Sequence, residues 1–335
     1  MQFLVTGGAG YIGSHIVRAL ASRGDRVTIL DNFSTGHRWA TQGQEVVEAD
    51  LRDLPALRGA LAGRRFDGVF HFAARSLVGE SNTAPLLYYQ NNVSGTANLL
   101  EVAAENGWRN CVFSSTAAIY GTPEAEFIDE QHPRRPINVY GQTKLAMEQL
   151  LEALAAATDF NAVSLRYFNA AGAAGDGSIG EAHDPETHLI PNALRAAAGT
   201  GEPLTLFGDD YDTRDGTCIR DYIHVEDLAG AHLLAMDFLR EHTGFSAINL
   251  GSGGGFSVRE VIAACETIVG APLAYRVGPR RTGDPAVLVA SNRRARDWLG
   301  WGPRQAAIET MVASAWRWEQ ERARVTETTP AAREP

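Results

Sequence analysis

Glycines at three-residue intervals near the amino terminus constrain the fold of this chain more than any other feature. Gly7, Gly10 and Gly13 follow a short apolar run at Gln2–Thr6, and a helical pattern from about 11 to 23 comes next. The loop also fits the G-x-G-x-x-G pattern. Such glycines let the backbone approach a pyrophosphate at a helix N-terminus, where free N–H groups and the helix dipole favour negative charge. A glycine-rich loop is also compatible with an ordinary turn, so a second feature is needed.

An acidic residue at the end of the second apolar run supplies that feature. Asp31 comes 18 residues after Gly13 (31 − 13). In dinucleotide-binding folds a carboxylate at this place accepts hydrogen bonds from the adenosine ribose hydroxyls. A 2′-phosphate would meet a like charge there, although Arg38 lies close in sequence. The sequence therefore predicts NAD, rather than NADP, as the cofactor.

Apolar and β-branched runs alternate with helix-length segments through the first half of the chain. After the first strand and helix, strand-like runs occur at 26–30, 45–48, 68–72, 110–114 and 162–166, and the longest helical segments at 85–106 and 140–158. This alternation predicts a parallel sheet covered on both faces, which is a Rossmann-type doubly wound α/β fold.

The pattern changes after about Asn169, where glycine-rich loop gives way to mixed short strands and helices. We expect an NAD-binding domain over 1–170 and a smaller α/β substrate-binding lobe over 171–325. A helix and a strand within about 225–250 leave open a return to the first domain. The polar, Pro-bearing tail at 326–335 is predicted to be disordered.

Charge and cysteine content exclude several classes of partner. Forty acidic and 30 basic side chains give a net charge of −10 with no basic block, so we expect neither nucleic acid nor a membrane surface as partner. No apolar run reaches the roughly 18–20 residues needed to cross a bilayer, and no basic segment precedes Gln2, so we expect a cytoplasmic protein. Cys111, Cys218 and Cys265 are odd in number and widely spaced, which predicts neither a disulfide framework nor a metal site.

The only lysine of the chain is part of a candidate catalytic pair. Tyr140 precedes Lys144 by four residues, on one face of a predicted helix. With nine tyrosines in 335 residues, chance gives this spacing in about 3% of cases. A nearby ammonium lowers the pKa of a phenol and favours its use as a general base. The hydroxyl-rich strand end at 114–116 would lie where parallel sheets bind ligands, which makes Thr116 a candidate partner for the reacting oxygen, although such hydroxyls are also ordinary turn residues.

Several longer stretches carry a family resemblance. They are VTGGAGYIG at 5–13, LDN at 30–32, HFA at 71–73, VGES at 78–81, YYQNNVSG at 88–95, FSSTAAIY at 113–120, YGQTK at 140–144, RYFN at 166–169, FGDDY at 207–211, DGTCIRDYIHVEDL at 215–228 and RRTGD at 280–284. With them the chain, from Phe3 to about Trp318, resembles the extended short-chain dehydrogenase/reductases and, within them, the UDP-glucose (UDP-galactose) 4-epimerases.

The resemblance implies a mechanism. Tyr140 would take the proton from the sugar 4-hydroxyl while a hydride leaves C4 for the nicotinamide, Lys144 would bond the nicotinamide ribose, and Thr116 would bond O4. The 4-ketose would then turn about its bond to the diphosphate and take the hydride back on its other face, so NAD would stay bound throughout. By motif or by resemblance, the predicted NAD-binding residues are Gly7, Gly10, Tyr11, Ile12, Gly13, Asp31, Asn32, Asp50, Leu51, Phe72, Ala73, Ala74, Ser76, Asn91, Ser114, Tyr140, Lys144 and Phe168.

The resemblance also implies a UDP-sugar as substrate. The predicted substrate-binding residues are Thr116, Asn169, His188, Leu189, Thr205, Leu206, Phe207, Arg220, Arg281, Asp284 and Leu288. Three of the positions named here depart from the family pattern. Enterobacterial-type members have Lys at Ser76 and Asn at His188, and Leu288 is intermediate between the large Tyr and the small Cys that control room for a 2-N-acetyl group.

Other functions remain open. Related dehydratases carry Asp-Glu directly after the catalytic Thr, and Ala117 and Ala118 cannot replace these proton-transfer groups, so dehydration is disfavoured. A 4-epimerase of another nucleotide sugar, such as a UDP-N-acetylhexosamine or a UDP-uronate, an NAD-dependent reductase and a non-catalytic NAD-sensing regulator remain as alternatives. By resemblance we also expect a homodimer that pairs through the helices at 85–106 and 140–158.

Overall fold

The computed structural model describes residues 1–281 and 284–327. Its strands are β1 (Gln2–Thr6), β2 (Arg26–Asp31), β3 (Glu45–Glu48), β4 (Gly68–His71), β5 (Asn110–Thr116), β6 (Asn161–Tyr167), β7 (Asn169–Ala171), β8 (Leu204–Phe207), β9 (Ile219–Arg220), β10 (Tyr222–His224), β11 (Phe245–Leu250), β12 (Phe256–Ser257), β13 (Tyr275–Gly278) and β14 (Val287–Leu288). Its α-helices are α1 (Tyr11–Ser22), α2 (Leu54–Leu61), α3 (Val78–Thr83), α4 (Pro85–Tyr88), α5 (Gly95–Glu105), α6 (Val139–Ala157), α7 (Leu189–Ala197), α8 (Val225–Phe238), α9 (Val258–Val269), α10 (Arg293–Leu299) and α11 (Ile308–Glu327).

Seven of these strands form one parallel sheet in the order β11-β6-β5-β4-β1-β2-β3. Side chains of β1 alternate between its two faces: Phe3 and Val5 pack in a core with residues of α1 and α8, whereas Leu4 packs in a second core with residues of α2, α5 and α6. A parallel sheet covered on both faces needs continuous apolar strands, which is the pattern of the sequence. The predicted Rossmann-type doubly wound fold is confirmed.

The segment 225–250 lies against the first domain. Helix α8 packs on α1, and β11 extends the main sheet by pairing with β6 in the register Phe245↔Ala162. Small sheets made from β7 to β10 and β12 to β14, together with α7, α9 and α11, build the second lobe around a separate apolar core. The domain limits at 170 and 325 stay a prediction.

The predicted helix at 85–106 is interrupted in the structure. Between α4 and α5 the residues Tyr89–Ser94 form a π-helical turn. In this wider turn the buried Asn92 donates to the Arg75 carbonyl and to the Thr143 hydroxyl, both at 3.0 Å. The wider turn lets the Asn92 amide face inward and donate to these two groups, where a regular α-helical turn is expected from the sequence. Sequence periodicity does not indicate this turn.

The last helix extends into the tail that we predicted to be disordered. Helix α11 continues through Thr326 and ends at Glu327, so the prediction is wrong for these two residues. They prolong the helical hydrogen bonding of a 20-residue helix whose amino-terminal half is anchored in the core of the second lobe. The rest of the predicted tail lies outside the described residues. Within the part of the chain that is described, no helix is both long and apolar enough to span a bilayer.

Candidate active site

The glycine loop forms a tight cradle between β1 and α1. Gly7 has φ +70°, and a Cβ on it would stand 2.6 Å from the Ala73 nitrogen, while a Cβ on Gly13 would stand 2.1 Å from the Gly7 carbonyl oxygen. Gly10 precedes α1, whose first turn carries no acidic residue and no side-chain cap within the described chain. The N–H groups at this helix end are therefore open to a negatively charged ligand, and the residues present fit a dinucleotide pyrophosphate.

The ribose side of this cradle is built around Asp31. Its carboxylate accepts hydrogen bonds from the backbone N–H groups of Ala9, at 3.0 Å, and Phe33, at 2.9 Å, and burial raises its pKa. Arg38, the next arginine after Asp31 in the sequence, pairs with Glu48 at 2.6 Å. Because Arg38 already has an anionic partner, this end of the cradle suits a ribose better than a ribose phosphate.

The other predicted cofactor residues line the same edge of the sheet. Phe72, Ala73 and Ala74 follow β4, and the Ala73 N–H points to the Thr6 hydroxyl at 3.4 Å. Asn32 donates to Asp50 at 2.9 Å, beyond the end of β2. Two other predicted cofactor residues are packed against apolar neighbours: Leu51 is buried in the core beside α5, and Phe168 is half-buried beside Ala117. Asn91 is half-buried and donates to the Asn92 side chain, whereas Ser76 is exposed.

Tyr140, Lys144 and Thr116 meet at the carboxyl end of the sheet. Asn138 caps α6 by accepting from the Gly141 N–H at 2.8 Å, which fixes the first turns of the helix that carry the pair. The Lys144 side chain is only 3% exposed, and its Nζ donates to the Ser114 carbonyl at 2.7 Å. The Thr116 hydroxyl is near enough to the Tyr140 phenol to lower its pKa. The structure thus brings the three predicted catalytic residues together.

Burial dominates the pKa values of the pair. It raises the pKa of Tyr140 to about 12 against the opposing hydrogen bond from Thr116, and it lowers the pKa of Lys144 to about 7 against the attraction of Glu148. We predicted that the Lys144 ammonium would lower the pKa of Tyr140. In the structure the pKa of Tyr140 is raised instead. Lys144 Nζ lies 6.0 Å from the centre of the Tyr140 ring, so desolvation of the phenol outweighs their attraction.

A buried ion pair behind Lys144 escaped the sequence analysis. Arg166 donates to both carboxylate oxygens of Glu148, at 2.9 and 2.6 Å, and Ser115 also donates to this carboxylate. Glu148 lies one helical turn beyond Lys144, so Tyr140, Lys144 and Glu148 form a stripe on one face of α6. The four-residue spacing was visible in the sequence, but its buried partner on β6 was not.

The predicted substrate residues gather on the second lobe, and several are already paired. Arg220 forms an ion pair with Asp284, and the Arg281 guanidinium lies 4.1 Å from the centre of the Phe207 ring. Leu288 of β14 pairs in register with Arg220 of β9. Asn169 is also engaged: its side-chain amide donates to the Asp221 carbonyl at 2.9 Å, and the Thr205 hydroxyl accepts from Arg276 at 3.0 Å.

Two predicted substrate residues have settings that the sequence did not indicate. The Leu206 side chain is buried in the core of the second lobe, because side chains alternate along β8, so only its backbone can face a ligand. His188 directly precedes α7, which starts at Leu189, and the His188 ring contacts the carboxylates of Glu181 and Glu186. Its imidazole is therefore committed to carboxylates rather than to a phosphate.

Comparisons with known proteins agree with this geometry. A model described as the NAD dependent epimerase/dehydratase family matches residues 3–251. The chain is 50% identical over 321 residues to the UDP-glucose 4-epimerase of Halalkalibacterium halodurans, covering 96% of each chain. It superimposes on the structure of the UDP-glucose 4-epimerase of Brucella ovis in complex with NAD, with a TM-score of 0.91, 45% identity, and coverage of 94% of this chain and 97% of that one. The UDP-Glc/GlcNAc 4-epimerase of Campylobacter jejuni gives a TM-score of 0.84 at 41% identity, with 96% and 99% covered.

Proposed function

The chain belongs to the NAD dependent epimerase/dehydratase family, and we propose that it interconverts UDP-glucose and UDP-galactose by epimerisation at C4. It is an NAD-dependent epimerase. The observation that carries the proposal is the meeting of Tyr140, Lys144 and Thr116 at the sheet edge that also holds the glycine loop. The three side chains can accept and donate one proton beside a bound dinucleotide. A reversible oxidation at one carbon requires such a proton transfer.

NAD, which the glycine loop, Asp31 and Lys144 would hold, would supply a hydride acceptor and donor for C4 of the sugar. Tyr140, as the phenolate, would take the proton of the sugar 4-hydroxyl when C4 is oxidised, and the phenol so formed would give this proton back on reduction. Thr116, whose hydroxyl lies near the Tyr140 phenol, would donate to or accept from the reacting oxygen. Lys144 presents a buried ammonium whose Nζ uses one donor on the Ser114 carbonyl and can offer the others to the nicotinamide ribose.

Presenting both faces of one sugar to the same site requires loose contacts to the sugar and tight contacts to the nucleotide. Arg220 and Arg281 supply cations in an acidic chain, and guanidinium groups bind diphosphates strongly. Binding energy placed on UDP leaves the sugar free to turn. The predicted UDP contacts of Asn169, Thr205 and Phe207 belong to this proposal.

The test is to incubate the purified protein with UDP-galactose in D₂O without added cofactor. We expect UDP-glucose to form and to keep its C4 hydrogen, while denaturation of the protein releases close to one NAD per chain. A requirement for added NAD in step with turnover would indicate a dissociating reductase. Solvent deuterium at C4 would contradict hydride return.

A second activity, on UDP-N-acetylhexosamines, is favoured by one position. Leu288 packs beside Phe168 in a small cluster that includes Ala117, next to Thr116. Its side chain is smaller than tyrosine, which leaves room near the sugar. The same assay with UDP-N-acetylglucosamine tests this: Leu288→Tyr should lower its kcat/KM relative to that for UDP-glucose by about tenfold or more, within the 1–3 kcal/mol that a pocket contact contributes to discrimination. An unchanged ratio would place the specificity determinant elsewhere.

We further propose a cytoplasmic homodimer that pairs through the 85–105 and 139–157 helices. The exposure of two apolar side chains supports this interface: Leu86 is 75% exposed and Tyr89 is 40% exposed. The two residues between them, Leu87 and Tyr88, carry no charge. Light scattering should give twice the mass of 36.1 kDa. Leu86→Glu should shift the protein toward the monomer, whereas Leu234→Glu, an exposed apolar control on α8, should not. A monomeric wild-type protein would end the proposal.

A further inference from the structure

Two glutamates and two histidines, among them His188, converge in the segment that leads into α7, and none of them is one of the proposed catalytic residues. The donor atoms of Glu181, His183, Glu186 and His188 all lie within 4.8 Å of one another. His183 Nδ1 is 2.9 Å and His188 Nδ1 is 2.7 Å from Glu181 Oε1, and His188 Nδ1 is also 2.9 Å from Glu186 Oε1. The geometry points to a metal site here, for a divalent transition ion of the zinc class, which revises the expectation of no metal drawn from cysteine spacing.

An unsatisfied buried oxygen is the second observation that indicates a cation. The Glu186 side chain is only 3% exposed, and its Oε2 has no hydrogen-bond partner in the described chain. A buried carboxylate oxygen without a donor is costly, and a bound ion is one of the few explanations for such an atom. The single Nδ1 of His188 faces oxygens of two carboxylates, Glu181 and Glu186, which one N–H proton cannot serve equally well. A cation among the four donors would satisfy all of them.

The donor set and its spacing fit four-coordinate zinc. Zinc binds imidazole nitrogen and carboxylate oxygen at about 2.0–2.2 Å, which places neighbouring ligand atoms of a tetrahedron about 3.4 Å apart. The separations of 2.7 to 2.9 Å between histidine Nδ1 and carboxylate oxygens reach this value after shifts of about 0.5 to 0.7 Å. Glu186 is also oriented for the purpose: its Oε1 accepts the backbone N–H groups of Thr187 and His188, at 2.8 and 2.9 Å. Such outer hydrogen bonds are typical of metal ligands.

The location indicates what the ion would do. Tyr11 of the glycine loop meets the His183 ring edge-on, with centroids 6.2 Å apart, and the Trp318 indole donates to the Glu181 carbonyl at 2.7 Å. An ion held by Glu181, His183, Glu186 and His188 would therefore fasten the cofactor loop, α11 and the start of α7 to one short segment. Four protein ligands leave no open coordination position, so the role is structural rather than catalytic. The His183 and His188 side chains are 29% and 48% exposed, which gives the ion a path from solvent.

The test measures metal on the intact protein. Protein purified without chelator should carry about one zinc per chain by inductively coupled plasma mass spectrometry. Removal with a chelator should lower the Tm, and ZnCl₂ should restore about 5 °C, the shift expected for a ligand near one hundred times its Kd. Co²⁺ added to the stripped protein should give the visible d–d absorption of a four-coordinate site.

Substitutions of the proposed ligands test whether these four residues bind the zinc. Glu186→Gln should reduce zinc affinity by tenfold or more, and His183→Ala combined with His188→Ala should reduce zinc content to below one tenth. His242→Ala, which changes an exposed histidine four residues after the end of α8, should retain one zinc per chain. If the wild-type protein retains less than a tenth of an equivalent and stripped protein gives no Co²⁺ spectrum, the four residues form a hydrogen-bonded cluster and the proposal is wrong. Zinc that persists in Glu186→Gln and in the double variant would also overturn it.

Discussion

The cofactor side and the substrate side of the site satisfy their polar groups in different ways. On the cofactor side the glycine loop offers backbone N–H groups, and Lys144 is buried with a fixed bond to the Ser114 carbonyl. On the substrate side Arg220 and Arg281 are cations that already have partners, Asp284 and the Phe207 ring. A ligand on the first side meets groups with spare donors, whereas a ligand on the second must displace existing contacts. This difference suits a resident dinucleotide and an exchanging nucleotide sugar.

The single lysine and the many arginines follow the same division. Lysine presents a compact ammonium with three donors, which allows one bond to the Ser114 carbonyl and others to a ligand. Arginine presents a planar fork that can change partner between carboxylate and diphosphate. Chemistry and cofactor retention therefore depend on buried groups, and substrate exchange depends on more exposed ones. Four sets of substitutions test this division.

The largest effect is expected for the phenol. Tyr140→Phe removes the group that carries the proton, and general acid–base catalysis contributes about 10²–10⁴-fold, so kcat should fall by about a thousandfold with bound NAD unchanged. Steady-state rates and the NAD content of the purified variant measure this. Tyr89→Phe, at an exposed tyrosine, should have wild-type kcat. Full turnover by Tyr140→Phe would remove the catalytic assignment and revive a non-catalytic NAD-binding role.

The next effect concerns two helical glycines with opposite surroundings. A Cβ on Gly13 would stand 2.1 Å from the Gly7 carbonyl, whereas a Cβ on Gly230 of α8 would meet nothing within 4 Å. Gly13→Ala should cost about 2 kcal/mol or more in the free energy of unfolding and reduce retained NAD at least tenfold. Gly230→Ala should stabilise the protein by about 0.5–1 kcal/mol. Chemical denaturation and released NAD check both, and equal behaviour of the two variants would contradict the close cradle.

A smaller and more selective effect is expected on the substrate side. Arg220→Ala and Arg281→Ala should each raise KM about ten- to a hundredfold, because they remove a charged contact to the diphosphate, and should leave retained NAD at the wild-type level. Arg214→Ala is the matched control, since Arg214 pairs with Glu260 on the surface of the same lobe. Loss of NAD in the Arg220 or Arg281 variant would show that the two sides are not separable.

Local sequence features predict the elements of the proposed cofactor side better than those of the proposed substrate side. The first strand, the glycine loop and the Tyr140–Lys144 spacing are local features, and the sheet order follows once continuous apolar strands alternate with helices. The ion pair between Glu148 and Arg166 joins α6 to β6, and Arg220 meets Asp284 across 64 residues. Contacts of this range leave no periodic signal in one sequence.

Two local features were not indicated by periodicity. The π-helical turn at Tyr89–Ser94 contains Asn92, which bonds the Arg75 carbonyl and the Thr143 hydroxyl on other segments. The His188 ring contacts the carboxylates of Glu181 and Glu186 within its own segment. The Glu-x-His-x-x-Glu-x-His spacing at 181–188 is present in the sequence, but spacing alone does not show that the four side chains converge.

The last comparison concerns stability in acid, which we expect to depend on buried histidines of the cofactor side. Burial lowers the pKa of His15 and His232 to about 4 and that of His71 to about 3. All three residues belong to or pack on the first domain. Below pH 6.5 the unfolded chain binds a proton at each histidine and the folded chain does not, so stability is complete above pH 6.5 and falls as the pH drops toward 4. The slope is up to about 1.4 kcal/mol per pH unit for each histidine.

Substitution of one of these histidines isolates its share of that slope. His232 packs against Phe72, and its Nε2 has no partner in the described structure, so His232→Leu exchanges little beyond one bond to the Leu228 carbonyl. Between pH 6.5 and 4 the free energy of unfolding of the variant should fall less steeply than that of the wild type, by about 1.4 kcal/mol per pH unit. Urea titrations at several pH values measure the slopes, with His242→Gln as the exposed control. Parallel slopes for His232→Leu and wild type would mean that His232 binds its proton equally in the folded and unfolded protein, and the slope would then have to come from His15 and His71.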